Sequence, residues 1–148
     1  MTGDKTDDYL KQSGWYAGRK VEIDKIKSMY DLNGYTYNQL QINFISEYAY
    51  LKIAYKHPLW KQNVELSMEP VIAQKTFDMD VVKEYESYFN EKFLIIGEIE
   101  RENMSIFIDS NGEFYGAYDD CVIKWGNDFH KMLYNLINGI KGELVIIE

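Results

Sequence analysis

Of 148 residues only one is cysteine, two are histidine and two are proline, and no apolar run exceeds the length of a strand. Cys121 alone makes neither an internal disulfide nor a zinc site, so no covalent or metal staple is expected and a reducing compartment suits the chain. His57 and His130 stand 73 residues apart, and neither lies at ligand spacing from another His, Cys or carboxylate, so no metal is expected. Cys121 with His130 does not make a nucleophile and base, because no glycine elbow or helix start is present to activate the thiolate. There is no phosphate-binding glycine loop, no HExxH and no serine elbow. Asp109-Ser110-Asn111-Gly112 follows a calcium loop for four residues only. No cofactor is implied. The longest apolar stretches, Phe93 to Ile96 and Leu144 to Ile147, are far too short to cross a membrane, and the acidic start from Met1 to Asp8 lacks the regions of a signal peptide. A cytoplasmic protein is expected. No repeat, low-complexity tract or linker interrupts the chain, so residues 1–148 are read as a single domain.

The net charge is −8, and its distribution carries more information than its size. Residues 1–60 hold 8 basic against 7 acidic side chains, whereas residues 61–148 hold 8 against 17. Such a field repels phosphate backbones and attracts cationic protein surfaces, which argues against a nucleic-acid partner and for a basic protein one.

The hydrophobic pattern predicts an α+β fold. Ile23, Ile26 and Tyr30, then Tyr37, Leu40, Phe44, Ile45 and Tyr48, recur at helical spacing on either side of Asn33-Gly34. From Leu51 the period becomes two, giving antiparallel strands around Leu51–Tyr55 and Val64–Met68, each with one wet face, the second closed by Pro70. Asp78 or Asp80 is placed to cap a helix bearing Val81, Val82, Tyr85, Tyr88 and Phe89. A meander follows: Phe93–Glu98, Met104–Ile108, an Asn111-Gly112 turn expected to have positive φ at both central residues, Phe114–Tyr118 and Cys121–Lys124. A last helix carries Phe129, Met132, Leu133, Leu136 and Ile137, capped by Asn127 or Asp128 and stopped by Gly139, with Leu144–Ile147 as a final edge strand. The expected architecture is a mainly antiparallel sheet with helices packed on one side.

Two groups of side chains are candidates for contacting a partner. Glu98, Glu100 and Glu102 alternate along one strand face, and Asp119 and Asp120 follow Tyr115 and Tyr118 on a hairpin arm. Trp60 lies in a charged connection, and exposed aromatics among acids are what a cationic protein surface selects. Alternating acids on a wet face share one environment, so they are poor candidates for a general acid and base with separated pKa values.

Gly14-Trp15-Tyr16-Ala17-Gly18-Arg19 is the most specific stretch. Gly14 is suited to end a short helix and Gly18 to turn the chain again, so Trp15 is expected to be pinned between two bends and driven inward, with Arg19 as the polar end of the clamp. Further on come Phe93-Leu94-Ile95-Ile96-Gly97-Glu98 and the run from Ser105 to Gly116. In this order these elements resemble the group-three branch of the SUKH superfamily, whose bacterial members are mostly immunity proteins that neutralise toxins. The resemblance runs from Leu10 to Gly139. Ser13, Ala17 and Ile96 depart from it, standing where alanine, proline and proline are usual. It implies an α+β fold and a cognate toxin domain as partner, a basic nuclease being the class implied. Gly14, Trp15, Gly18, Arg19, Gly97, Asp109, Asn111 and Gly112 are then structural. A small hydrolase using Glu98 or Asp109 with a neighbouring acid, and a regulatory scaffold binding a cellular protein, are the alternatives.

Overall fold

The computed structural model describes residues 5–75, 77–100, 103–118 and 120–147. Strands β1 (Lys52–Lys56), β2 (Asn63–Ser67), β3 (Phe93–Ile99), β4 (Met104–Asp109), β5 (Phe114–Tyr118), β6 (Cys121–Lys124) and β7 (Glu143–Ile146) form one antiparallel sheet whose spatial order is the chain order. With them come helices α1 (Lys5–Gln12), α2 (Asp24–Asn33), α3 (Gln39–Tyr48), α4 (Pro70–Lys75), α5 (Met79–Phe89) and α6 (Phe129–Asn138). The fold is α+β, and none of the helices is long and apolar enough to cross a membrane among the described residues.

The helices occupy both sides of the sheet, which corrects the one-sided packing expected. Phe114 and Tyr115 are successive residues of β5 and therefore face opposite ways. Phe114 meets Phe44 of α3 and Phe129 of α6, whereas Tyr115 meets Phe89 of α5. Two-sided cover is why every residue of β4, and all of β3 except Glu98, is buried. Only the outer strands keep a wet face, with Lys52, Ala54 and Lys56 of β1 exposed.

Local chemistry sets the element ends. Pro70 does not simply close β2 but opens α4, a first-turn position where its missing N–H costs nothing. Asp78 caps α5 by accepting from the Asp80 N–H, and Asp128 caps α6 by accepting from the Lys131 N–H. A capping box of Asn38 and Gln41 starts α3. The Gln41 Nε2 also reaches the Ile108 carbonyl, tying that helix to the sheet. Between Ile95 and Gly97 the β3–β4 register slips, leaving Ile96 as the extra residue of a bulge. The fully buried Tyr30 hydroxyl donates to the Ile95 carbonyl there. Gly97 is required by close approach: a Cβ would stand 2.4 Å from the Ser67 carbonyl oxygen of β2.

Burial pushes the phenols of Tyr30, Tyr35, Tyr48 and Tyr115 well above the usual tyrosine range. In the unfolded chain they ionise near pH 10, while in the fold they hold their protons, so above about pH 10 the unfolded state binds fewer protons. Their contribution to stability is therefore complete below the unfolded pKa and is lost as pH rises beyond it. Denaturant midpoints measured across the alkaline range are expected to fall steeply from about pH 10. A midpoint that stays level through that range would contradict the burial of these phenols.

Candidate functional site

The Gly-Trp-x-x-Gly-Arg element is a clamp on the end of α3. At the end of α1, the Trp15 N–H donates to the Leu10 carbonyl and the Gly14 N–H to the Lys11 carbonyl, with Gly14 at φ 107°, which is a Schellman stop. The Arg19 N–H then closes a turn on the Tyr16 carbonyl, with Gly18 at φ 81°. Trp15 emerges between the two bends half-buried, stacked with Tyr48 and edge-on to His130, its Nε1 donating to Glu47 at 3.0 Å. The Arg19 guanidinium donates to the carbonyls of Glu47 and Ala49, capping the C-terminal end of α3 where acceptors are left over and positive charge is favoured.

The second motif is equally structural. The Asp109 carboxylate, 2% exposed, accepts from the Asn111 and Glu113 N–H groups and from the Tyr115 hydroxyl at 2.7 Å. The Gly112 N–H donates to the Asp109 carbonyl, and Gly112 takes φ 92°. Asn111 is not among the positive-φ residues, so the expectation of two left-handed residues in this turn is corrected. The turn is a longer loop held by the Asp109 side chain, which replaces the need for a second left-handed residue.

Of the candidate contact residues, Glu98, Glu100 and Tyr118 come together. The register Ser67↔Glu98↔Ser105↔Ala117 makes one row across β2 to β5 on the face that α5 covers farther along. Between this row and the start of α5 lies a groove of about 530 Å³, lined in part by Phe77, Asp78, Val81, Glu98, Ser105 and Tyr118. Continuing the β2–β3 register sets Glu65 opposite Glu100, whose N–H donates to the Glu65 carbonyl. The pleat places both on the same face as Glu98. The carboxylates of Glu98 and Glu100 have no ion pair or hydrogen bond among the described residues, although Glu69 nearby meets Lys52 at 3.9 Å. Asp120 is exposed in the turn after Tyr118. Glu102 and Asp119 lie outside the described residues.

Two candidates are placed elsewhere. Tyr115 is not an exposed contact residue: it is 2% exposed, because α5 covers the face it occupies. Trp60, 49% exposed, stacks on His57 in the β1–β2 connection, at the opposite end of β2 from Ser67. His57 accepts from the Leu59 and Trp60 N–H groups through Nδ1, which accounts for it structurally. Sequence reasoning also missed Ser105 and Asp78, the first because it stands in a strand that reads as core and the second because its capping role explained it.

A second groove of about 500 Å³ on the other face is lined by Phe44, Tyr48, Phe114, Asp128, Phe129 and His130 among others. Tyr48 and His130 Nε2 are 2.8 Å apart, and His130 Nδ1 stands 3.5 Å from Asp7. Burial first, then the Glu47 charge, raises the Tyr48 pKa, so the phenol stays protonated and the chain of contacts ties α1, α3 and α6 together. Among the described residues no group of three or more His, Cys, Asp or Glu is placed to hold a metal ion.

No curated protein and no solved structure matches this chain. The model of the SUKH-3 immunity protein family does match, over residues 2–139, a span that includes the clamp, the groove and every strand but the last. The chain belongs to the SUKH-3 immunity protein family.

Proposed function

We propose that this protein neutralises a cognate toxin domain, a basic nuclease, by covering its cationic active surface with the acidic face around the groove. The observation that carries this reading is the gathering of Glu65, Glu98 and Glu100 beside Asp78 on the open part of one sheet face. Directly opposed like charges destabilise a sheet, so Glu65 opposite Glu100 is a local cost that a cationic partner would relieve. An inhibitor of a lethal enzyme must associate fast and leave slowly; surface acids supply the first and buried contacts the second. The hydrolase alternative has less support. Asp109 is enclosed and its carboxylate is fully engaged by three donors, while Asp78 is occupied as a helix cap.

The test is co-expression with toxin domains encoded by reading frames adjoining this one, followed by purification of the pair. Rescue of growth, a complex that weakens with salt, and loss of nucleic-acid cleavage by the bound toxin are expected. A neutralised toxin without nuclease activity would remove the nuclease assignment. A complex indifferent to salt would remove the acidic face as its basis.

A further inference from the structure

We propose that the groove beside α5 receives an arginine side chain of the toxin, with Glu98 as its ion-pair partner and Ser105 as a neighbouring acceptor. This rests on the toxin-binding reading above and specifies the group recognised. Three observations point to a guanidinium. Glu98 is half-buried and has no counter-ion among the described residues. Ser105, its direct neighbour across β3 and β4, lines the same groove at 9% exposure, and its hydroxyl has no hydrogen-bond partner among the described residues. Ser105 lines the groove, and a hydroxyl oxygen there accepts a hydrogen bond from a ligand that brings a donor.

The third observation is the lining. Phe77, Val81 and Ala117 give the groove an apolar part next to the acid. An ammonium is compact and strongly hydrated, and would lose its shell on entering. A guanidinium is flat, weakly hydrated and presents five N–H groups, enough to engage the Glu98 carboxylate and the Ser105 oxygen together while its plane lies on apolar carbon. Asp78 at the N-cap and Asp80 in the first turn of α5 offset the positive end of that helix, which would otherwise oppose a cation here.

The experiment titrates the isotope-labelled protein with N-acetyl-arginine methylamide and, separately, with the citrulline and lysine analogues. Backbone amide shifts at Glu98, Ser105 and Ala117 are expected with arginine, weaker ones with lysine, and none with citrulline, which keeps the shape but loses the charge. Glu98→Gln is expected to weaken arginine-amide binding about tenfold or more, the loss of one charge-assisted pair. Ser105→Ala, which removes only a hydroxyl, is expected to weaken it less, and both variants should melt as the wild type does. Equal shifts with citrulline, shifts confined to the Phe44–Phe129 groove, or unaltered binding by Glu98→Gln would overturn the proposal. The titration needs no toxin, so it decides the pocket even where no adjoining toxin is bound. Protection of cells by both variants at wild-type affinity would overturn the arginine pocket and leave toxin binding standing.

Discussion

Asp109→Ala is expected to lower the stability of the fold by about 3 kcal/mol, because it strands two backbone N–H groups and one buried phenol that share a single carboxylate. Each orphaned buried donor costs about 1–3 kcal/mol, and the total falls short of their sum because the turn can relax toward water. For a chain of 148 residues this corresponds to roughly 10 °C in Tm. Asp109→Asn should cost less, since one oxygen still accepts from the two turn amides. A double-mutant cycle with Tyr115→Phe isolates the side-chain pair: the two losses are expected to be less than additive, because Tyr115→Phe has already removed one of the donors. If Asp109→Ala melted with the wild type, the carboxylate would not be organising the β4–β5 turn. The hydrolase alternative would then regain a free acid.

The same residue marks the boundary of what could be read from the chain. Asp109 to Gly112 was recognised as a turn from residue types alone, and the helices containing Tyr30, Phe44, Tyr85 and Phe129 were recognised from their spacing, because both signals are local. The burial of Tyr115 was not. Period-two alternation says that Phe114 and Tyr115 face opposite ways but not whether the second face is dry. That depends on α5 returning across the sheet. The unbroken apolar run from Phe93 to Ile96 was a sign of a strand covered on both faces, and it also contains the bulge that sets the register beyond it.

The candidate site was legible in the same uneven way. Glu98 and Tyr118 stood out as an acid and an aromatic in the acidic part of the chain, and a simple meander brings strands β3 to β5 side by side. Ser105 carried no signal, since its place beside Glu98 depends on the slip at Ile96, and a serine within Met104–Ile108 reads as filler in a core strand. Glu65 was read as the wet side of its own strand. Its pairing with Glu100 is a tertiary fact that no local pattern contains.

That pairing makes a sharp forecast. Glu100→Lys turns a directly opposed pair of like charges into an opposite pair with Glu65, so the isolated protein is expected to become slightly more stable. The same change reverses a charge on the face proposed to steer the toxin. With Glu65→Lys added, four units of charge are altered, and association at low salt is expected to slow by about ten- to a hundredfold. Because both positions border the groove without lining it, the dissociation rate should change little, whereas Glu98→Gln should act chiefly on dissociation. Raising the ionic strength should shrink the gap between mutant and wild-type on-rates, as screening removes the long-range part of the field. The measurement is stopped-flow association with the purified cognate toxin domain at low and high salt, with thermal melts of each free variant alongside. On-rates equal to wild type at low salt would move the steering surface away from β2 and β3, to the Asp120 turn. A slower on-rate accompanied by a fall in melting temperature would instead mean that the charges were acting on the fold, and the separation of stability from recognition on this face would be lost.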